Sequence, residues 1–390
     1  MAYRYVVLGA GRQGAALAYD LARHGEAAQV LLADMDAETA EAAARRVGDL
    51  VADRAACLGS AVCDVSDPES VAPLLSGADV VVSAAPYRFN VTLTDLAIAA
   101  GASFCDLGGN TEVVRQQLTR DHRATAAGVS VLPDCGLAPG LGNILAAHGI
   151  AGLDEPQDVH IRCGGLPQRP VGPLGYKLTF NFEGLINEYG GHGAFLREGR
   201  YAEIPALTEL EEIEFPPPVG RCEAAVTSGG TSTAPRTYAG RLRTYDYKTV
   251  RYPGHFAVMQ ALFALGCFEQ RIGLPAGGFL EPRPVLRTLM EMHLAYPEVR
   301  DLVVLRVTVS GRQRGRPATR RYELMDFEDV ATGFTAMERT TAFPAALVAH
   351  MQARGRVPPG AKPLEQVLPL EQYVEELPRH GIRVAIAESE

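Results

Sequence analysis

The chain lacks a C-x-x-C pair, an excess of basic charge, and any apolar run long enough to cross a bilayer. Each absence excludes something. The seven cysteines (Cys57, Cys63, Cys105, Cys135, Cys163, Cys222 and Cys267) are scattered and odd in number. That suits reduced thiols in a cytoplasm rather than disulfides or a zinc site, and no metal is expected. A net charge of −9 argues against nucleic acid, whose partners usually carry a basic face. The longest apolar stretch, residues 255–268, is broken by Gln260 and too short to span a membrane. It reads as a helix, and no membrane partner is expected. A strand pattern that starts at the third residue leaves no room for a signal peptide, so the expected location is cytoplasmic. Repeats and low-complexity tails are also missing.

What is present begins at once. Tyr3 to Leu8 is a short apolar strand that runs into Gly9-Ala10-Gly11-Arg12-Gln13-Gly14, and Gln29 to Asp34 follows as a second strand tipped by an acid. Gly9 permits the tight turn, Gly11 lets backbone approach a pyrophosphate, and Gly14 lets the following helix pack on the strand. The phosphates then meet unpaired N–H groups at a positive helix end. Asp34 lies 20 residues beyond Gly14, where a carboxylate can accept both hydroxyls of an adenosine ribose. A 2′-phosphate there would set like charges together. The expected cofactor is therefore NAD, with Arg12 the one feature in the loop that could reach a phosphate instead.

At 390 residues the chain exceeds the size of a single growing core, and two domains are expected. The first 135 residues alternate strand and helix. Ala61 to Val65, Asp79 to Ser83, Ser103 to Leu107 and Val129 to Pro133 continue the strands, and Asp67-Pro68 opens a helix as cap and first residue. Six such strands make a Rossmann-type, doubly wound parallel sheet. Past Pro139 the pattern turns to alternation. Val159 to Cys163 reads as a half-buried strand, and Leu302 to Val309 with Arg321 to Phe327 reads as a long hairpin around a basic turn, residues 311–317. The expected organisation is an NAD-binding domain over residues 1–140 and an α+β substrate and oligomerisation domain over 141–338, built on a mainly antiparallel sheet. A C-terminal segment, 339–390, with a helix from Thr340 to Arg354, returns toward the first domain.

In an open parallel sheet, ligands sit beyond the carboxyl ends of the strands. That rule selects Asp64 and Val65 to flank the adenine, and the small Ala84, Ala85 and Pro86 to let ribose and nicotinamide pass. It also selects Asp106 before Gly108-Gly109, and Asp134-Cys135 before the next helix. Cys135 would stand near the nicotinamide, although packing explains it equally well. Tyr87, just past the fourth strand, could stack on the nicotinamide or bond a substrate.

Five segments in series resemble the saccharopine dehydrogenase family, and within it the lysine 6-dehydrogenase branch. They are residues 9–14, 133–141, Phe182-Glu183-Gly184-Leu185, 227–233 (Thr-Ser-Gly-Gly-Thr-Ser-Thr) and 247–255. The resemblance covers nearly the whole chain. It implies NAD-linked oxidation at a carbon bearing nitrogen. In the lysine branch the ε-amine of L-lysine becomes an imine, then the 6-semialdehyde, which cyclises. Saccharopine-type and carboxynorspermidine-type enzymes act instead on a secondary amine joining two amino-acid moieties. A fold kept for NAD sensing without catalysis is the reading from a different class.

The chemistry sets requirements. An ε-ammonium has a pKa near ~10.4, so a base must take a proton before hydride can leave. Asp134 is a candidate for that role or for holding the ammonium, with helix capping as its ordinary alternative. Asp106 is similar, with an Asx turn as its alternative. Glu183 could hold the cationic end of lysine. Thr227, Ser228 and Thr231 look like donors to a carboxylate. Lys248 and Arg251 could pair with the α-carboxylate, or Lys248 could be the base if burial lowers its pKa. Alternation along a strand puts only one of those two inside. His192 and His255 are further acid–base candidates. The expected partner is a small amino-acid substrate, and the expected assembly a homodimer or homotetramer.

Overall fold

The computed structural model describes residues 2–179 and 182–389. Six parallel strands form the first sheet: β1 (Tyr3–Leu8), β2 (Ala27–Asp34), β3 (Leu58–Val62), β4 (Val80–Ser83), β5 (Ser103–Asp106) and β6 (Ser130–Leu132). Their order is β6-β5-β4-β1-β2-β3, with a two-residue strand, Gly360–Ala361, added in parallel beside β6. The order in which strands are added reverses between β1 and β4, the switch point at which open parallel sheets bind ligands.

The strands are apolar on both faces because both faces are covered. Val7, Leu32, Val82 and Leu132 pack into one core, while Val6, Leu31, Val81 and Val131 pack into another. Helix α1 (Arg12–His24) lies on the first face. Helices Pro68–Leu75 and Asn90–Ala100 lie on the second. Asp67 caps its helix by accepting from the Glu69 N–H, with Pro68 at the first turn, as expected. The third strand sits three residues earlier than expected, so Cys63, Asp64 and Val65 follow it rather than belong to it. Its side chains are only partly covered, which blurs the apolar signal.

Among the described residues the second sheet has nine strands, in the order 211–215, 220–226, 244–251, 155–167, 301–313, 316–327, 385–389, with 192–197 attached to 244–251 and 200–205 to 192–197. All pairs are antiparallel except 244–251 with 155–167. The hairpin is longer than expected. Gln313 pairs with Arg316, leaving a two-residue turn, Arg314-Gly315, both at positive φ. Most of the basic segment is therefore strand, since a turn of that type matches the twist of long paired strands.

Helix Ala336–Ala353 begins four residues before its expected start and lies buried between the two sheets. Asp301 of the second sheet accepts from the N–H groups of Ala336 and Met337 at 2.8 and 3.0 Å. At the far end, Gln352 Nε2 donates to Phe104 O and Ser130 O, both at 3.1 Å. One helix thus ties both sheets together. No helix among the described residues is long and apolar enough to cross a membrane.

Candidate active site

The glycine loop is shaped by contact. Gly9 has φ +96, and a Cβ there would sit 3.0 Å from the Ala84 backbone. A Cβ on Gly14 would lie 1.8 Å from Gly9 O. At Gly11 nothing lies within 4 Å, so the space above that residue is open. Helix α1 has no side-chain cap and no acid in its first turn. Its leading N–H groups are left for an anion, and a dinucleotide pyrophosphate fits them.

Asp34 ends β2 beside this loop. One oxygen accepts from the Ala10 N–H at 2.8 Å and the other from Asp36 N–H at 3.2 Å. Asp36, exposed and held below the usual carboxylate range by Thr39, caps the next helix. Two acids therefore stand where an adenosine ribose would lie. Arg12 donates from Nε to the buried Glu338 at 2.5 Å and reaches Thr335 at 3.3 Å. Gln13 Nε2 reaches Met337 O at 3.4 Å, and its buried Oε1 has no partner among the described residues. Asp64 is exposed and accepts from Ser66, Val65 is partly covered, and Ala84, Ala85 and Pro86 run past Gly9 toward Tyr87.

Cys135 is a correction. It is fully buried in the main core, its thiol directed to Leu132 O at 3.1 Å, and burial pushes that thiol well up. It packs and does not line the crevice.

At the tips of β5 and β6 two carboxyls meet. Asp106 is fully buried; it accepts from Gln117 at 2.7 Å, Gly108 N–H at 2.8 Å and Asp134 N–H at 3.2 Å. Burial raises it. The Asx turn to Gly108 is thus real, and the same carboxylate holds Asp134 in place. Asp134 has φ +64, a backbone uncommon outside glycine though aspartate tolerates it better than most. Burial, then the Asp106 charge, pushes its carboxyl up to about 8, against a hydrogen bond from Ser232. Its Oδ1 is buried, has no hydrogen-bond partner among the described residues, and lies against the Gly108 backbone. Ser232 also sits at positive φ.

The opposite wall comes from the second domain. Tyr87, its ring against Gly109, accepts through its hydroxyl from Asn187 Nδ2 at 3.3 Å. Ser228 donates to Asn187 O, and its N–H donates to Glu188 O at 2.9 Å. Glu188 accepts from Thr249 Oγ1 at 2.6 Å and from Arg251 at 3.1 Å. Thr249 meets Thr227 at 2.8 Å. Arg251 is fully buried, donates to Tyr189 OH at 2.8 Å and lies over the Tyr176 ring. Tyr189 also bonds His255, whose imidazole burial and Arg251 push down to about 3. A neutral histidine sealed in this way is structural.

Three further expectations separate from the crevice. Lys248 is on the opposite sheet face from Arg251, its ammonium donating to Glu209 O at 2.6 Å and Glu211 at 2.8 Å. A base there cannot reach the Asp134 side. Glu183 is exposed, and its partners among the described residues are Arg283 and Arg287 of a neighbouring helix rather than the Asn187, Ser228 and Thr249 group. Thr231 gives its hydroxyl to Ala194 O at 2.6 Å and its carbonyl to Asn143, fixing the loop instead of facing a ligand. His192 is exposed at a strand start. Glu188 and Ser232 were missed by sequence reading. Ser232 falls inside the 227–233 motif, so a signal was available; Glu188 had none.

Comparison with known proteins places these features. A family profile described as the saccharopine dehydrogenase NADP binding domain matches residues 5–132, and one described as the saccharopine dehydrogenase C-terminal domain matches residues 136–382. A saccharopine dehydrogenase [NADP(+), L-glutamate-forming] of Schizosaccharomyces pombe is 26% identical over 155 residues, covering 38% of this chain and 34% of that protein. The alpha-aminoadipic semialdehyde synthase of Arabidopsis thaliana is 30% identical over 140 residues, 32% of this chain and 12% of that one. The chain spans about a third of the length of the fungal relatives it matches. The apo structure of saccharopine dehydrogenase (L-Glu forming) from Saccharomyces cerevisiae shares the fold over 100% of both chains, with TM-score 0.79 at 19% identity. Two profiles matched in order, one on each side of the crevice, account for nearly the whole sequence. The chain belongs to the saccharopine dehydrogenase family.

Proposed function

We propose that this protein is an NAD-dependent dehydrogenase that oxidises the ε-amine of L-lysine to the 6-semialdehyde, which cyclises to Δ1-piperideine-6-carboxylate. The observation that carries this reading is the character of the second-domain wall. Asn187, Ser228 and Glu188, faced by Tyr87 of the first domain, give it one carboxylate among neutral polar groups, and its arginine is already held by Glu188. Such a wall suits an ammonium and one carboxylate better than the several carboxylates of a secondary-amine substrate.

Gly11 and the start of α1 would hold the pyrophosphate, and Asp34 the adenosine ribose. When bound, the nicotinamide supplies the hydride acceptor. NAD is favoured over NADP because Asp34 and Asp36 oppose a 2′-phosphate while Arg12 is engaged by Glu338. Asp134 takes the proton that the ammonium must lose, and its raised basicity suits a base working near neutral to mildly alkaline pH. After releasing that proton to solvent, it takes a proton from the water that adds at the imine carbon and passes it to the departing ammonia. Asp106 positions it. Glu188 takes the cation-holding role first assigned to Glu183, the Asn187 amide and the Tyr87 hydroxyl offer donors to the α-carboxylate, and Ser228 fixes the backbone of Asn187 and Glu188.

The second reading, a saccharopine-type enzyme, draws on the names of the matched relatives. It requires cationic groups for each extra carboxylate. Purified protein offered lysine with NAD, saccharopine with NAD or NADP, and 2-oxoglutarate plus lysine with the reduced cofactors separates the two. Lysine with NAD is expected to give NADH; turnover on saccharopine alone would overturn the reading. Nucleotide binding without turnover on any amine would indicate a sensor. We further propose a cytoplasmic homo-oligomer, in keeping with seven free cysteines and with the exposed Leu265, Phe279, Leu280, Leu289 and Met292 of the second domain.

A further inference from the structure

We propose that His350, Glu376 and His380 bind a zinc ion at a site apart from the cofactor loop and from the Asp134 crevice. Their ligand atoms lie within 4.8 Å of one another. His350 is on helix Ala336–Ala353, Glu376 ends the helix Leu370–Glu376, and His380 closes the turn that follows.

Two observations point to a ligand. First, His350 is 3% exposed, yet neither ring nitrogen has a hydrogen-bond partner among the described residues. Its nearest carboxylate oxygen, on Glu26, is 3.7 Å away. A buried imidazole with both nitrogens idle forfeits the compensation that such groups nearly always find. Second, His380 is 4% exposed and is joined through Nδ1 to the Asp20 carboxylate at 2.6 Å. A carboxylate behind one histidine nitrogen fixes the ring and leaves the other for a metal, an arrangement that recurs behind zinc-binding histidines. Asp20 is itself 1% exposed, with one oxygen unpartnered among the described residues.

Two imidazoles and one carboxylate are borderline donors that suit Zn²⁺, with a fourth position left for water. With bonds of about 2.0–2.2 Å, tetrahedral ligand atoms stand about 3.3–3.5 Å apart. Side-chain rotation inward by roughly an ångström closes the set. Arg354 is the opposing feature. Its guanidinium lies 3.0 Å from Glu26 and 3.7 Å from Glu376, and these two carboxylates offset its charge. No spacing motif announces such a site, because its ligands come from separate elements. The expectation of no metal, drawn from cysteine spacing, did not bear on histidines. A zinc ion here would clamp residues 376–380 against helix Ala336–Ala353, with Asp20 of α1 behind His380, and so raise stability and not chemistry.

The test uses the intact protein dialysed against zinc and freed of excess, with metal content, thermal midpoint and the visible absorption of the cobalt form as readouts. The expected results are about one zinc per chain, a midpoint raised by zinc and lowered again by chelator, and an intense low-coordinate cobalt band. His350→Gln and Glu376→Gln should each lose all three. Glu376 is partly exposed, so its variant keeps the test valid if the buried histidine variant does not fold. No retained zinc in the wild type, or zinc retained unchanged in Glu376→Gln, would overturn the proposal.

Discussion

At Asp134, burial and the Asp106 charge act in the same direction on one proton. The consequences differ for rate and stability. As a base, Asp134 works when ionised, so kcat/KM for lysine should rise as pH climbs through about 8 and then level. Asp134→Asn should lower kcat by about 10²–10⁴-fold while leaving NAD affinity in place. For stability the sign is the reverse. The folded carboxyl holds a proton that the unfolded chain sheds from about pH 4, so stability falls as pH rises from there toward about 8. Thermal midpoints of Asp134→Asn should show a smaller fall over that interval; an identical slope would contradict the weakened acidity of this carboxyl. At Asp34, replacement by Ser removes one charge from the ribose and a bond to Ala10. It should weaken NAD by about 10–100-fold and narrow its advantage over NADP. Calorimetric titration of both nucleotides checks this, and unchanged affinities would remove the role given to Asp34. Both acids were legible in sequence because each ends a strand. Glu188 was not, since its partners Thr249 and Arg251 lie about 60 residues on. Lys248 and Arg251 stand three positions apart on one strand and so face opposite ways, and which of them faced inward depended on packing that no local pattern contains.

Helix Ala336–Ala353 is the element that joins the two halves. Its first turn carries an internal capping box, Thr335 with Glu338, and Glu338 also holds Arg12 of the cofactor loop. Asp301 closes two further N–H groups from the second sheet. Asp301→Ala leaves those buried donors open and should cost about 1–2 kcal/mol, a drop of a few degrees in the thermal midpoint. A midpoint within error of the wild type would show that water or a rearranged turn replaces the cap. Sequence periodicity found this helix but started it late, at Thr340, because the Thr335 cap lies in a segment with no apolar rhythm. The hairpin of residues 301–327 was found as well. Its tight turn was missed because the arginines around Gly315 resemble loop composition while their backbone pairs as strand. The third Rossmann strand slipped by three residues for a related reason, its half-exposed side chains carrying little signal.

Across the whole molecule, the crevice is a property of two domains and of the contacts that bridge them. Tyr87 reaches Asn187, Ser232 reaches Asp134, and Arg12 reaches Glu338. Fold class was readable because a parallel sheet buried on both faces leaves continuous apolar strands. The composition of the wall proposed to hold substrate was not, because it assembles from helix Phe182–Tyr189, the loop at 227–233 and strand Thr244–Arg251 only after folding. The exposed apolar side chains of residues 265–292 predict association. Sedimentation should find a species at least twice the 41.7 kDa chain, and Leu289→Asp with Met292→Asp should shift it toward monomer; a monomeric wild type would remove that expectation. The central claim is that hydride leaves the carbon bearing the terminal amine of lysine and passes to NAD. Lysine labelled with heavy nitrogen only at the ε-position, incubated with enzyme and NAD, tests it most directly. Labelled ammonia released in step with NADH is the predicted result, and NADH formed with the label retained, or no NADH at all, would contradict it.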